Sequence, residues 1–287
     1  MQEHLTSSPT LRVITAAAFV LSVSFAAYAQ QNSPAKLRQE LDSLAWQSAP
    51  KIGAIGSQAQ IRLDNNTRFL DSVNTNKFLQ LEGNPPVENA YSIAPRSLKW
   101  FAIFEFDPTG HVRDDEKIDP DDLLNTLKDQ NVRGIQERKR LGLPILHLTE
   151  WFVPPHYDVE TKRLEWATKL VDDSGRVTVN YLTRILGRTG VMGAVLVSDP
   201  DNLEEDTRAF RLALKGFEFV PGQRYSEFQS GDKVAEYGLA ALIVGGAAAA
   251  AAKTGAGKAL FKFIGIGTFA VGAAVMGFFR RLFSRKE

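Results

Sequence analysis

The chain has 287 residues and 44% hydrophobic content, enough for one or two domains with a sizeable core. It contains no cysteine, which excludes disulfides, a thiol nucleophile and thiolate metal sites. Of 34 Lys+Arg and 33 Asp+Glu, one of each precedes Gln30, and seven basic residues stand against one acidic residue beyond Glu236. The remaining 26 basic and 31 acidic residues leave the middle of the chain mildly acidic, which argues against a nucleic-acid surface there.

Residues 1–29 read as a secretory signal. Arg12 precedes an apolar run from Val13 to about Ala27, and Ala27, Tyr28 and Ala29 form a small-x-small site ahead of Gln30. Residues 30–52 follow as a helical lead-in, with Leu37, Leu41 and Leu44 at helical spacing before Pro50.

Residues 53–236 carry the pattern of one extracytoplasmic α+β domain. "QAQIRL" alternates as a strand does, and "LKWFAIFEF" reads as a buried strand whose following "DPTG" turn leads into a partner strand. "IDPDDLLNTLKDQNVRGIQERKRLGLP" is a helix with Asp119 as N-cap and Pro120 in its first position. Leu123, Leu124 and Leu127 form its apolar face, Gly134 marks a break, and Gly142 and Pro144 stop it. "ILHLTEWFV", "RLEWATKLV", "RVTVNYLTRIL" and "VMGAVLVS" are strand-like runs joined by the turn-like "PPHYDVETK", "DDSG" and "GRTG", which predicts an antiparallel meander. In the second of these, Leu164, Trp166 and Leu170 share one face while Arg163, Glu165 and Lys169 share the other, as expected of a sheet with one face in water. A further helix starts at Asp199 and Pro200, presents Leu203, Phe210 and Leu214, and stops at Gly216. The fold class is therefore α+β, an antiparallel meander with packed helices and a C-terminal apolar membrane helix or helices.

The tail changes composition at Tyr237. Residues 237–260 are a Gly/Ala-rich membrane-associated helix and joint; its run 238–252 is short for a span, and is read as interfacial, re-entrant or the first half of a hairpin. Within the joint, "AAKTGAGKAL" imitates a phosphate-binding loop at Gly257 and Lys258. Ala252 replaces the first glycine and Ala259 the magnesium-holding hydroxyl, so no nucleotide is expected. The run "FKFIGIGTFAVGAAVMGFF", residues 261–279, begins at Phe261, ends at Phe279 and approaches the roughly 20 residues that cross a bilayer. Arg280, Arg281, Arg285 and Lys286 in the tail 280–287 follow it as a cytoplasmic-side cluster. Small residues four apart at Gly245 and Ala249, Ala270 and Ala274, and Ala273 and Gly277 would let helices approach closely in lipid, a route to a homo-oligomer.

Chemistry is less visible. His147, Glu150 and His156 could hold a metal only by converging at a strand end, and the bland reading of no metal and no cofactor is preferred. No G-x-S-x-G elbow is present. Glu150, Asp158 and Glu165 near Trp151, Tyr157 and Trp166 resemble a glycosidase's paired acids and stacking rings, but aromatic cross-strand packing and solvated acids explain them as well. Binding candidates are Trp151, His156, Tyr157, Asp158 and Trp166 around a rigid "PPHYD" turn, and Arg188 in an anion-nest-like "GRTG" turn.

Four stretches carry a resemblance: "HVRDDEKIDPDDLL", "WFVPPHYDVETKRLEWA", "VNYLTRILGRTGVM" and "DKVAEYGLAALIVGG". In order and spacing the chain resembles, from about Gly53 to the tail, a family of bacterial membrane-anchored proteins catalogued as domain of unknown function 2167. The resemblance implies an extracytoplasmic domain tethered to the inner membrane, main domain periplasmic, and carries over no functional residue. The expectation is a non-catalytic binding or assembly module whose partners are the bilayer and an envelope protein or a second copy. A membrane-tethered hydrolase of envelope glycan or lipid is the alternative.

Overall fold

The computed structural model describes residues 34–82, 84, 86–140 and 145–245. The signal-like residues 1–29 and the tail 246–287, with Phe261, Phe279, Arg280 and Arg281, lie outside the described residues. Among the described residues no helix is long and apolar enough to cross a membrane.

The chain divides into two units, Met1–Ser43 and Leu44–Glu287. In the first, helix α1 (Pro34–Asp42) forms where the lead-in was expected, with the i,i+4 pairs Lys36–Glu40 (3.9 Å) and Arg38–Asp42 (2.7 Å) along it.

The second unit is built on an eight-stranded antiparallel sheet. Its strands are β1 (Gln47–Ser48), β4 (Thr67–Leu70), β5 (Tyr91–Pro95), β6 (Trp100–Asp107), β7 (Leu146–Asp158), β8 (Arg163–Asp172), β9 (Val177–Leu186) and β10 (Val191–Ser198). Their order is β1-β4-β5-β6-β10-β9-β8-β7. The meander from β7 to β10 is present as the alternation predicted. A second sheet joins β2 (Ile52–Ile55), β3 (Ala59–Arg62) and β11 (Phe217–Phe219) in the order β11-β3-β2.

Helices cover both faces. Helix α4 (Leu203–Ala213) and the small sheet pack on one, around Phe69, Phe104, Tyr181, Met192 and Phe210. Helix α3 (Pro120–Arg140) and the short α5 (Leu239–Val244) cover the other, where Leu123, Leu239, Leu242 and Ile243 meet Leu164, Trp166, Leu182 and Leu186. Helix α2 (Ser72–Leu81) sets Phe78 edge-on against Phe101, with ring centroids 4.9 Å apart. Leu239, Leu242 and Ile243 are thus core residues of this unit, so the folded domain extends past Glu236 into the Gly/Ala-rich run.

Several local expectations need correction. The face of β8 expected in water is covered: Glu165 is 7% exposed because Arg211 of α4 lies across it, with Nη2 2.8 Å and Nε 3.0 Å from Oε2. Alternation records charge, but a charge paired across layers is buried all the same. The "PPHYD" stretch is no turn: β7 continues through Pro154 and Pro155 to Asp158 with three register shifts. Proline lacks the N–H a central strand needs, and β7 tolerates two because it is the edge. Asn131 of α3 blocks part of the same edge, donating to the Leu146 carbonyl (2.9 Å) and accepting from the Leu148 amide (3.0 Å). The "DPTG" turn leads into no partner strand, since β6 pairs with β5 and β10. Helix α3 also runs through Gly134 without a break. Its start is as read, with Asp119 Oδ1 accepting from the amides of Asp121 (3.0 Å) and Asp122 (3.2 Å).

Candidate functional site

The four stretches that carry the family resemblance meet at one end of the large sheet, around Asp114. Asp114 follows β6 on an irregular segment. Its Oδ2 accepts from the Tyr157 hydroxyl at 2.7 Å and from the Lys162 Nζ at 2.8 Å. Its Oδ1 accepts from the Tyr225 hydroxyl at 3.0 Å, which also lies 3.0 Å from the Val112 carbonyl. Tyr157 comes from the end of β7, Lys162 from the β7–β8 turn and Tyr225 from a single 3₁₀ turn, Tyr225–Glu227. The Lys162 ammonium also lies 4.9 Å from the Tyr225 ring centroid.

Electrostatics follow from these bonds. Burial pushes the Asp114 carboxyl up, but the hydrogen bonds from Lys162, Tyr157 and Tyr225 outweigh it, and the group lies below the usual carboxylate range. Burial, and then the Asp114 charge, push Tyr157 and Tyr225 far above the ordinary phenol value, so both remain donors. Among the described residues, the Asp114 carboxylate is thus fully engaged by one ammonium and two phenols.

A second bond pair fastens the β9–β10 turn. Arg188 grips Asp232 with two nitrogens, Nε to Oδ2 at 2.7 Å and Nη2 to Oδ1 at 2.8 Å. Arg188, and next the Gln229 amide, hold the Asp232 carboxyl down at about 2. The Arg188 amide donates to the Gln223 carbonyl (2.9 Å) and the Thr189 hydroxyl to the Gln223 side chain (2.6 Å). Gly190 closes this turn where a Cβ would sit 2.2 Å from the Asp107 carbonyl oxygen, so no other residue fits without moving backbone.

The same junction reaches the root of the tail. Glu116 Oε2 accepts from the Ala240 amide in the first turn of α5 at 2.9 Å. A Cβ on Gly238 would lie 2.3 Å from that oxygen, so the glycine allows the carboxylate to approach. Arg113, Asp115, Glu116, Ala235, Glu236, Tyr237 and Gly238 line an open cleft of about 360 Å³ beside it.

The candidates read from sequence divide between these roles. Tyr157 and Arg188 belong to the junction. Trp151 is a fastener: its Nε1 donates to the Pro120 carbonyl at 2.9 Å and holds the start of α3 to the sheet edge. Trp166 is core, 3% exposed, with the Arg184 guanidinium 5.6 Å from its ring centroid. Asp158 organises its own turn, accepting from the amides of Glu160 (2.9 Å) and Thr161 (3.3 Å). His156 is exposed opposite Glu165.

Nor do the proposed metal and acid groupings assemble. His147 Nε2 lies 3.0 Å from Asp173 Oδ1, Glu150 pairs with Lys169 at 2.9 Å, and His156 lies farther along the strand. Glu150, Asp158 and Glu165 are each engaged by a different partner, and none lines the cleft. Among the described residues no three His, Asp or Glu side chains are grouped to hold a metal ion.

His111, Asp114, Glu116, Lys162, Tyr225 and Asp232 are not among the candidates read from the sequence. All but Tyr225 lie inside the quoted stretches, so dense motif content was their only signal.

A search of curated proteins finds no match. Among solved structures, the solution structure of cyanobacterial PsbP (CyanoP) from Synechocystis sp. PCC 6803 matches at 9% identity and a TM-score of 0.32, over 62% of this chain and 94% of that one. A likeness that distant carries nothing about activity. The family model described as "Protein of unknown function (DUF2167)" matches residues 47–277, the four converging stretches included, and the chain belongs to that family.

Proposed function

We propose that the protein is a non-catalytic binding or assembly module, exported by its N-terminal signal and tethered to the bacterial inner membrane by residues 261–279, with the Leu44 to Gly245 domain in the periplasm. One observation carries the reading: the carboxylates, phenols and cations that meet around Asp114 and Asp232 are spent on each other. Asp114, Tyr157, Lys162 and Tyr225 form a closed knot, and Arg188 and Asp232 a closed pair. Active sites ordinarily keep an unpaired acid, base or nucleophile beside a cavity. Here the geometry supports rigid attachment of the tail's root to the sheet through Glu116 and α5. The surface left for a partner includes Phe152 and Val159, both exposed, with His156 between them on β7 and its turn.

Two experiments test this reading. Protease added to spheroplasts should digest the domain, while the C-terminal segment stays in the membrane pellet after alkaline carbonate extraction; a protected domain or a fully soluble chain removes the anchoring. Cross-linking of the full-length protein in intact cells should recover one defined partner or a homo-oligomer. The product should be lost with Phe152→Asp or His156→Asp and kept with Lys169→Ala. Recovery of the uncross-linked monomer alone defeats the assembly reading.

The membrane-tethered hydrolase has one observation in its favour. On the sheet face flanked by α2 and α5, Glu105 and Arg184 stand on either side of Gly193, with Asp107 two residues along β6. Both carboxyls are exposed, yet the protein atoms crowded around them, opposed by Arg184, raise them above their ordinary values, the direction a glycosidase's acid requires. Turnover of envelope glycan that is abolished by Glu105→Gln or Asp107→Asn would establish that reading. Full activity in both variants ends it.

A further inference from the structure

We propose that His111 is an acid-sensitive latch: its neutral ring clamps segment 225–235 onto the end of the sheet, and protonation of the ring releases that segment and the root of α5 with it. The inference goes beyond the binding-module reading and stands without it.

The geometry is that of a clamp closed from both sides. The His111 ring is stacked between Tyr225 and Phe228, with centroids 4.3 and 4.2 Å away and planes 25° and 30° from parallel. His111 is 8% exposed, and its buried Nδ1 has no hydrogen-bond partner among the described residues. Its backbone is laced to the same segment, the His111 amide donating to the Lys233 carbonyl (2.8 Å) and the Ala235 amide to the His111 carbonyl (2.9 Å). Residues 236–238 then lead directly into α5, whose first turn is held by Glu116.

Among the described residues, every charged side chain facing the ring is already engaged. Asp114 comes from its own segment, Asp232 from the clamped one, Lys162 from the β7–β8 turn, and the Arg188 backbone from the β9–β10 turn. Tyr225 presents its ring and gives its hydroxyl to Asp114 and Val112. Asp114 is taken by Lys162 and two phenols, and Asp232 by both arms of Arg188. The Arg188 backbone bonds to the ring and favours its charged form, but Nδ1 itself has no partner among the described residues, so a proton there creates a buried donor with no acceptor. The flanking ring faces attract a cation, but they cannot accept an in-plane N–H.

Burial accordingly pushes the His111 pKa below its ordinary value, against the pull of Asp114, Asp232 and the Arg188 backbone. The closed form binds fewer protons than the open one, so acid favours opening. Its contribution is complete above the ordinary histidine value of about 6.5 and is lost as the pH falls from there through the lower closed-form value.

Hydrogen exchange by mass spectrometry on the full-length protein in mild detergent tests the latch, with rates corrected for the intrinsic effect of pH. Between pH 7.5 and 5.5, peptides covering 222–237 and the Arg188 amide should lose protection about tenfold while the β8–β9 centre keeps its own. His111→Phe preserves the stack and cannot titrate, so its protection should not change over that range. Protection of 222–237 that ignores pH, that falls in step with the whole domain, or that falls equally in His111→Phe overturns the latch. Should that variant not fold, NMR titration of the wild-type His111 ring decides. A pKa below the ordinary value of about 6.5 supports the proposal and one at or above it overturns it.

Discussion

The centre of the large sheet and its end by Asp114 are stabilised by different physics. At the centre, Phe210 of α4 rests among Trp100, Phe104 and Tyr181 with ring centroids 6.1 to 6.4 Å away, all four residues nearly or wholly buried. That region is held by apolar area, which is large and undirected. At the end, a few directed bonds join Asp114 to groups 43, 48 and 111 residues away in the chain. The difference teaches that this domain can lose a bond at its end and keep its sheet, whereas a hole at the centre is felt everywhere.

Substitutions can break or sharpen that contrast. Phe210→Ala should have the largest effect, about 3 to 5 kcal/mol in urea unfolding, because it removes a ring shared by three others and leaves a cavity. Asp114→Asn should cost about 2 kcal/mol at neutral pH, since Lys162 keeps a partly buried charge without its partner. The sign of its pH dependence is fixed: a carboxyl held below its unfolded value of about 3.9 stabilises above that pH and loses the contribution as pH falls through the lower folded value. The gap between wild type and Asp114→Asn should therefore begin to close as pH falls below about 4. A gap that persists into stronger acid would mean that packing, not charge, holds the junction.

Trp151→Phe keeps a smaller aromatic ring and deletes the indole N–H bond to the Pro120 carbonyl. It should cost about 1 kcal/mol, with faster exchange in the first turn of α3. Smallest of all, Lys169→Ala breaks an exposed pair with Glu150 and should shift stability by no more than about 0.5 kcal/mol in thermal unfolding. If it rivals Asp114→Asn, the contrast between the two regions fails.

Much of the fold was legible because its periodicities are local. Alternation located β7 to β10, and Asp119-Pro120 and Asp199-Pro200 marked helix starts that the structure keeps, the second as a 3₁₀ turn ahead of α4. Proline misled the reading at 154 and 155, because its lost N–H argues against a strand only when that strand has neighbours on both sides. Glu165 misled it as well: charge on a strand signals water unless another layer brings an arginine, and Arg211 is 46 residues away. The junction was barely legible, since a side chain's hydrogen-bond partner has no period to be read.

The sequence by itself determined the α+β class, the meander, the helix caps and the family, because these rest on spacings of two to four residues or on long runs of matched residues. Tertiary structure alone decided that Asp114 is the hub, that His111 sits between two rings, and that the first turn of the Gly/Ala run belongs to the core. Those facts depend on which distant segments share one end of the sheet, and that is settled only when the chain buries its apolar area and must pair every polar group it takes along.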